Sequence, residues 1–510
     1  MSKKVIIGSR GSDLALWQAY RVKSQLEDLG CTVELEIIQT QGDKIQDLSF
    51  DKMEGKGFFT KEIEEALLNK KIDLAVHSHK DLETNPPRGL LVAAVSDRED
   101  PSELLLIRKE AVNTSKRFSM KEKAIVGTSS ARRKSQLLAF RPDIEIKELR
   151  GNVPTRINKL REGDYDAIML AKAGVTRLKI DLSEFHVVTL DPKEFIPAPA
   201  QGVLGLQIRE NDTELFKLLQ QMNDRDVQKC IYIERKVLNL LDGGCQLPLG
   251  VYCEEEYGIM KTWISQAENS EGIPKRLYVE NTSAEEIVEL LKAKESKRVF
   301  ISRELKSDSD FKRFLPKGYK LHDESLIEIV PVPFEEIPES DWIFFSSSNA
   351  VSAFFENKPS YKDGTKFGVI GKATGKALAK YAQADYIGKG NTQKVAKRFV
   401  KALGKGSVLF PVSDKSVRTI QKKLPKTQVT ELIVYKTIQK LDFKLPESDI
   451  LVFTSPSNVE AFFNTENSIS GQRVISIGET TRKELLKHNV NSVVPWQSYE
   501  LAMLDLVLAN

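Results

Sequence analysis

Along the first 200 residues, short apolar runs alternate with amphipathic stretches. Residues 4–8 predict a strand. Residues 14–29 predict a helix, with Leu14, Trp17, Val22, Leu26 and Leu29 near helical spacing. Residues 33–39 alternate with period two, 60–69 read as a helix, and 74–77 read as a short buried strand. This β-α-β-α-β order predicts a parallel or mixed sheet with helices on both faces. A second unit of the same kind follows: strand 124–126, helix 132–140, strand 144–148, helix 153–162, strand 166–170. Two successive lobes imply a cleft, and ligands favour clefts at the carboxyl ends of parallel strands.

Residues 218–292 form a smaller third unit, with a helix at 226–241, weaker strands at 250–253 and 260–264, and a helix at 284–294. The charged stretch 293–297 reads as a linker. Beyond it the chain repeats itself. The run Asp341-Trp342-Ile343-Phe344-Phe345 with its hydroxyl-rich tail aligns with Asp449-Ile450-Leu451-Val452-Phe453, 108 residues later. Gly371 falls on Gly478, and 298–302 resembles 407–411, each followed by a helix that ends in Leu-Pro-Lys. A 108-residue period is too long for a solenoid, so a duplicated bilobal α/β domain is expected.

Composition narrows the class. With 510 residues, 41% hydrophobic and 29% charged, the chain is expected to be globular and multidomain. No apolar run reaches the ~18 residues a membrane helix needs. The start turns polar after three apolar residues, too soon for a secretory core. Four cysteines are too few for a disulfide scaffold, which points to a reducing cytoplasm. Residues 296–510 hold 32 Lys and Arg against 24 Asp and Glu. The surplus is scattered along helices and reads mainly as a solvated surface, with attraction of an anionic ligand as the alternative. No nucleic-acid or membrane partner is expected.

Several motifs carry chemistry. Gly243-Gly244-Cys245-Gln246 sets a cysteine on a glycine turn. A buried small hydrophobe and a displayed thiol are both compatible with that, whereas Cys31, Cys230 and Cys253 lie in strand or helix patterns. Thr128, Ser130, Arg132 and Arg133 cluster at a strand-to-helix turn, where backbone N–H groups favour anions and arginine grips carboxylates. Arg150 and Arg156 repeat this one βα unit later, and Arg10 with Ser12 does so after the first strand. Together they predict a polyanionic ligand. His77 and His79 lack a third metal ligand at credible spacing, so no metal is expected. Lys80 and Asp81, at a strand's carboxyl end, suit anion binding and proton handling. Residues 54–61 read as a lid carrying two lysines.

These runs resemble one family across 1–292: porphobilinogen deaminase, also called hydroxymethylbilane synthase. The matching segments are Leu14-Ala15-Leu16-Trp17-Gln18, Gly55-Lys56-Gly57-Phe58-Phe59, 75–81, Arg98-Glu99-Asp100-Pro101, 126–130, Leu149-Arg150-Gly151-Asn152-Val153, Ala200-Gln201-Gly202 and Gly243-Gly244-Cys245-Gln246. The resemblance implies two lobes built like periplasmic binding proteins, a third domain, and a dipyrromethane cofactor joined to Cys245 by a thioether. The implied reaction condenses four porphobilinogen molecules, with loss of ammonia, into linear hydroxymethylbilane. Asp81 matches the family's catalytic aspartate. Lys80, Arg132, Arg133, Ser12, Thr128 and Ser130 match cofactor-binding positions, and Arg10, Arg150 and Arg156 match positions that bind substrate carboxylates. Relatives usually carry an apolar residue where this chain has His79.

Residues 297–510 resemble uroporphyrinogen-III synthase, a more variable family. The supporting runs are 344–351, 452–459, 370–374, 477–481 and Val434-Tyr435-Lys436-Thr437. The implied activity closes hydroxymethylbilane with inversion of its last ring. Tyr435 matches a tyrosine proposed to assist departure of the hydroxyl. Ser347, Thr374, Ser455 and Thr481 are expected to bind substrate carboxylates, with plain N-capping as the alternative.

The expectation is therefore a fused bifunctional tetrapyrrole enzyme, monomeric and cytoplasmic. Its lobes are expected at 1–98 with 197–217, 99–196, 218–292, 297–332 with 440–510, and 333–436. Two other readings stand beside it. One is an active deaminase with a non-catalytic synthase-like module. The other is a solute-binding protein, which the glycine-flanked cysteine and Asp81 argue against.

Overall fold

A computed structural model describes residues 3–40, 60–242, 247–388, 392–416 and 418–509. Its contacts divide the chain into two compact units. The first comprises 1–296, 306–319 and 498–510, and the second comprises 297–305 and 320–497.

Among the described residues, the first unit holds three sheets. Their strands in chain order are β1 (Lys4–Ser9), β2 (Thr32–Ile37), β3 (Leu74–Ser78), β4 (Leu90–Val95), β5 (Glu103–Ile107), β6 (Ile125–Gly127), β7 (Glu145–Lys147), β8 (Ala167–Ala171), β9 (His186–Leu190), β10 (Leu204–Arg209), β11 (Leu249–Glu256), β12 (Ile259–Gln266) and β13 (Lys275–Glu280). The first sheet runs β2-β1-β3-β10-β4 and the second β7-β6-β8-β5-β9. In both, three parallel strands are followed by two antiparallel pairings. The sheets are thus mixed and share one topology, with β1 occupying the place of β6 and β3 that of β8. The central strands are apolar on both faces, as helix-covered strands must be. Val5, Ile7, Leu74, Val76 and Leu206 form one core; Leu104, Leu106, Ile168 and Leu170 form the other.

The chain crosses between these lobes twice, through 96–102 and 191–203, and the two crossings run side by side. Glu99 N donates to Gly202 O at 3.1 Å, and Gln201 Nε2 donates to Pro101 O at 2.8 Å. Gly202 has φ +90°, and a Cβ there would lie 2.3 Å from Glu99 O, so only glycine fits. Glu234, on the helix Arg225–Leu240 of the third domain, is fully buried under this crossing. It accepts from Arg98 Nη1 at 2.7 Å, Ala200 N at 2.6 Å and Cys253 N at 2.8 Å. The third domain adds the antiparallel sheet β11-β12-β13, whose last strand the sequence pattern did not suggest.

The second unit holds the strands β14 (Arg298–Ile301), β15 (Lys320–Asp323), β16 (Ile327–Pro331), β17 (Trp342–Phe345), β18 (Lys366–Ile370), β19 (Tyr386–Gly388), β20 (Val408–Ser413), β21 (Val429–Gln439), β22 (Ile450–Phe453) and β23 (Arg473–Ser476). One sheet runs β15-β14-β22-β23 and the other β16-β21-β20-β17-β18-β19. The repeat is carried in their bonding. Asp449 Oδ2 accepts from Arg298 N at 2.7 Å, and Asp341 Oδ2 accepts from the equivalent Ser407 N at 2.8 Å. One feature departs from the sequence reading. The Asp310–Phe314 segment is helical, but its counterpart after β20 is only the 3-10 turn Gln421–Lys423. There Ser416 Oγ accepts from Ser413 N, and Asp414 Oδ1 accepts from Thr437 N, side-chain bonds that compete with a helix.

Candidate active site

Shared topology places the candidate motifs equivalently. The turn after β1 carries Arg10 and Ser12; the turn after β6 carries Thr128, Ser130, Arg132 and Arg133. β3 runs straight into the 3-10 turn His79–Asp81, which carries Lys80 and Asp81. Arg150 follows β7, and Arg156 lies on the helix Val153–Arg161. All sit at carboxyl ends of parallel strands.

The centre of the cluster is a residue the motif reading passed over. Glu103, at the start of β5, is fully buried and accepts from both arginines of the next turn. Arg132 Nη2 donates to Oε1 at 2.6 Å and Arg133 Nη2 to Oε2 at 2.7 Å. Arg132 also donates to Ile196 O at 2.9 Å, and Arg133 to Met169 O at 3.2 Å. Burial would raise the Glu103 carboxyl, but Arg133 and Arg132 overcome it and hold the group at about 2. Burial lowers Arg132. A single carboxylate in the apolar run Leu104-Leu105-Leu106-Ile107 was the available signal, since a buried charge demands a partner.

Across from this pair, Lys80 Nζ donates to Gln201 Oε1 at 3.4 Å. Burial lowers Lys80; Asp81 opposes that, and Arg133 adds to it. Burial likewise lowers Arg156 to about 10, with Arg133 and Arg150 pushing the same way and Asp81 opposing. Lobe 1 residues therefore feel lobe 2 residues directly. Lys80, Arg132, Arg133 and Arg156 thus interact with one another and with Glu103 or Asp81, and Arg150 acts on Arg156, an excess of cations. The Asp81 side chain is exposed, whereas Glu103 is sealed in. Arg133 Nε is buried with no hydrogen-bond partner. An excess of positive charge with an orphan donor suits a ligand that brings its own carboxylates.

Ser12 and Ser130 cap helices, and Thr128 braces the turn before the second cap. Ser12 Oγ accepts from Ala15 N at 3.4 Å and Ser130 Oγ from Arg133 N at 3.4 Å; Thr128 Oγ1 accepts from Ser130 N at 3.2 Å. Capping uses an oxygen lone pair and leaves each O–H available to donate, so capping and anion binding coexist. His77 is committed elsewhere. Gln207 Nε2 donates to Glu64 Oε1 at 2.9 Å, so its Oε1 is free to accept from His77 Nε2 at 3.1 Å.

In the second unit, Tyr435 lies on β21 where the pairing with β20 shifts register, and it is largely buried. Its hydroxyl lies 3.3 Å from Ser347 Oγ, which also accepts from Ala350 N at 3.1 Å as the cap of the helix Ser348–Glu356. Ser455 Oγ plays the same part for Pro456–Phe463, accepting from Asn458 N at 3.2 Å. Thr374 and Thr481 are buried within the first turns of Gly371–Leu378 and Glu479–Lys487. Tyr435 and Ser347 are thus brought together, while Ser455 and Thr481 belong to the other sheet. Cys245 and residues 54–59 of the lid lie outside the described residues.

Comparison with known proteins gives the following. Residues 5–217 match the family model "Porphobilinogen deaminase, dipyromethane cofactor binding domain" and 228–294 match its C-terminal domain; 312–504 match "Uroporphyrinogen-III synthase HemD". A porphobilinogen deaminase of Chloroherpeton thalassium is 40% identical over 294 residues, 57% of this chain and 91% of that protein. One of Sulfurimonas denitrificans is 45% identical over 251 residues, 49% of this chain and 79% of that protein. The solved uroporphyrinogen-III synthetase of Helicobacter pylori is 19% identical, with a TM-score of 0.33, and covers 42% of this chain and 98% of its own.

Proposed function

Because the chain belongs to the porphobilinogen deaminase family and carries a uroporphyrinogen-III synthase domain, which makes it a bifunctional tetrapyrrole enzyme, we propose that deamination and condensation occur at Asp81. The observation that carries this is one exposed carboxylate, Asp81, that feels Lys80 and Arg156, beside the buried arginine pair on Glu103. Porphobilinogen brings an acetate, a propionate and an aminomethyl group. Arg132, Arg133, Arg150, Arg156 and Arg10 hold the carboxylates, and Lys80 adds a further positive charge. The substrate amine leaves as ammonia, and the pyrrole nitrogen's electrons fill the gap, giving an azafulvenium. Asp81 lies where its negative charge stabilises that cation. After the new C–C bond forms, the attacked ring carbon must lose its proton, and the exposed Asp81 carboxylate accepts it.

The family model for 5–217 is that of a dipyrromethane-binding domain, and the cation excess with the orphan Arg133 Nε fits such a carboxylate-bearing group. Lys80, Arg132, Arg133, Ser12, Thr128 and Ser130 would hold it, and Cys245 would carry it as a thioether. When bound, it supplies the free pyrrole carbon for the first condensation.

In the second unit, the Tyr435 hydroxyl assists departure of hydroxide from hydroxymethylbilane, with Ser347 orienting it. Ser347, Thr374, Ser455 and Thr481 bind the substrate's carboxylates. The lobes are taken as 1–98 with 197–217, 99–196, 218–292, 297–332 with 440–510, and 333–436, save that 306–319 and 498–510 group with the first unit. The enzyme acts as a cytoplasmic monomer on small pyrroles. No helix among the described residues is long and apolar enough to cross a membrane.

The test is to incubate the pure protein with porphobilinogen, oxidise the products and separate the uroporphyrin isomers. Mostly isomer III is expected. Mostly isomer I would remove the catalytic assignment of the second half, and no porphyrin would overturn the reading of Asp81.

A further inference from the structure

The synthase family model covers 312–504, yet residues 306–319 and 498–510 group with 1–296. The helix Glu500–Leu508 shows why. Every residue from Leu501 to Leu508 is buried, and all but Asp505 are apolar. A helix apolar on all sides must be enclosed, and a lone charge in it needs a partner.

Asp505 finds that partner in the third domain. Arg276 on β13 donates from Nε to Asp505 Oδ1 at 2.9 Å and from Nη2 to Oδ2 at 3.1 Å. Arg276 is 1% exposed and Asp505 0%. The remaining guanidinium bonds go to the loop that leaves the second lobe: Nη1 to Glu194 O at 2.8 Å and Nη2 to Lys193 O at 2.9 Å. One arginine thus joins β13, the second lobe's exit and the distal helix.

The helix Asp310–Phe314 completes the contact. Asp310 Oδ1 accepts from Arg117 Nη1 of the second lobe at 2.5 Å. Arg313 Nη1 donates to Phe140 O, and the Phe314 ring meets Phe140 edge-on at 4.8 Å. Phe311 N donates to Glu500 Oε1 at 3.1 Å, so the two distal segments also hold each other.

We propose that residues 306–319 and 498–510 form a clamp that fastens the second lobe of the deaminase to its third domain. The two enzymes are then not separable modules joined at 293–297. The first is completed by sequence that lies inside the second.

The test uses the full chain with a site-specific protease sequence inserted between Lys294 and Glu295. After cleavage, the two fragments are expected to co-elute under native conditions and to separate only in denaturant. With Asp505→Ala in the same chain, the cleaved fragments are expected to separate. In the uncut Asp505→Ala chain, hydrogen exchange in β13 and in 191–196 is expected to rise at least ten-fold, with β1 and β3 unchanged. Should Asp505→Ala fail to fold, Asp505→Leu with Arg276→Met keeps the helix apolar and is expected to restore co-elution. The clamp is overturned if the cut native chain falls apart, or if Asp505→Ala changes neither elution nor exchange.

Discussion

Glu103 holds Arg132 through a 2.6 Å ion pair in which the carboxylate is 0% exposed and the guanidinium 7%. The same carboxylate holds Arg133 with its second oxygen. Glu103 is therefore the counter-charge that lets two arginines sit side by side at one helix start. Glu103→Gln keeps the shape and removes the charge, leaving both guanidinium groups facing each other. Breaking a buried pair costs about 3–5 kcal/mol. The midpoint of urea unfolding is expected to fall accordingly, and an unchanged midpoint would refute this role.

Asp81→Asn tests the reaction centre. The side chain is exposed, so the fold is expected to tolerate the change. Loss of a positioned proton acceptor costs roughly 10²–10⁴-fold in rate. Porphobilinogen consumption should drop within that range while the unfolding curve stays put. A ten-fold loss or less would move the chemistry to another group.

Cys245→Ser is expected to abolish the covalent adduct and the deaminase activity together. A serine hydroxyl is a far weaker nucleophile than a thiolate at neutral pH. Intact mass under denaturing conditions reads the adduct directly. An active variant at the bare sequence mass would refute the thioether.

Tyr435→Phe removes the hydroxyl that lies 3.3 Å from Ser347 Oγ. A neutral hydrogen bond is worth about 1 kcal/mol, so stability should change little. The share of isomer III is expected to fall with porphobilinogen consumption unchanged. Retention of isomer III would leave Tyr435 as packing alone.

Acid should weaken the first unit in two stages. Burial lowers His77 to about 4 and His79 to about 3, so both fold neutral. The unfolded chain binds protons on them near pH 6.5, earlier than the folded one. Stability is therefore full above about 6.5 and falls as pH drops toward 4, by up to ~1.4 kcal/mol per pH unit for each histidine. Glu103 contributes above its unfolded value near 4.5, and that contribution is lost as pH falls through about 2. Melting between pH 7.5 and 5 checks the first stage, and His77→Gln should remove about half of its slope and leave the share of His79. A flat wild-type profile would refute it.

The strand-end motifs were legible because their chemistry is local: Thr128, Ser130 and Arg132 announce a helix start with anion affinity. Glu103 was not, because its meaning lies in two arginines almost thirty residues on. β10 and β5 carry no periodicity that tells a parallel from an antiparallel neighbour, so only the presence of a sheet could be read. The third-domain strand β13 was hidden by Lys275, Arg276 and Glu280, charges that look like a loop until Arg276 meets Asp505. The helix Glu500–Leu508 went unread, and periodicity cannot say which neighbour encloses a helix that is apolar all round.

The clamp also bears on how the protein is made. Residues 498–510 are translated some 200 residues after Ser296, with all of the second unit between them. At roughly 5–20 residues per second, the ribosome needs about 10–40 s to cover that distance. Throughout that interval the nascent deaminase exists with Arg276 awaiting its carboxylate. The first enzyme to emerge is thus among the last to be finished.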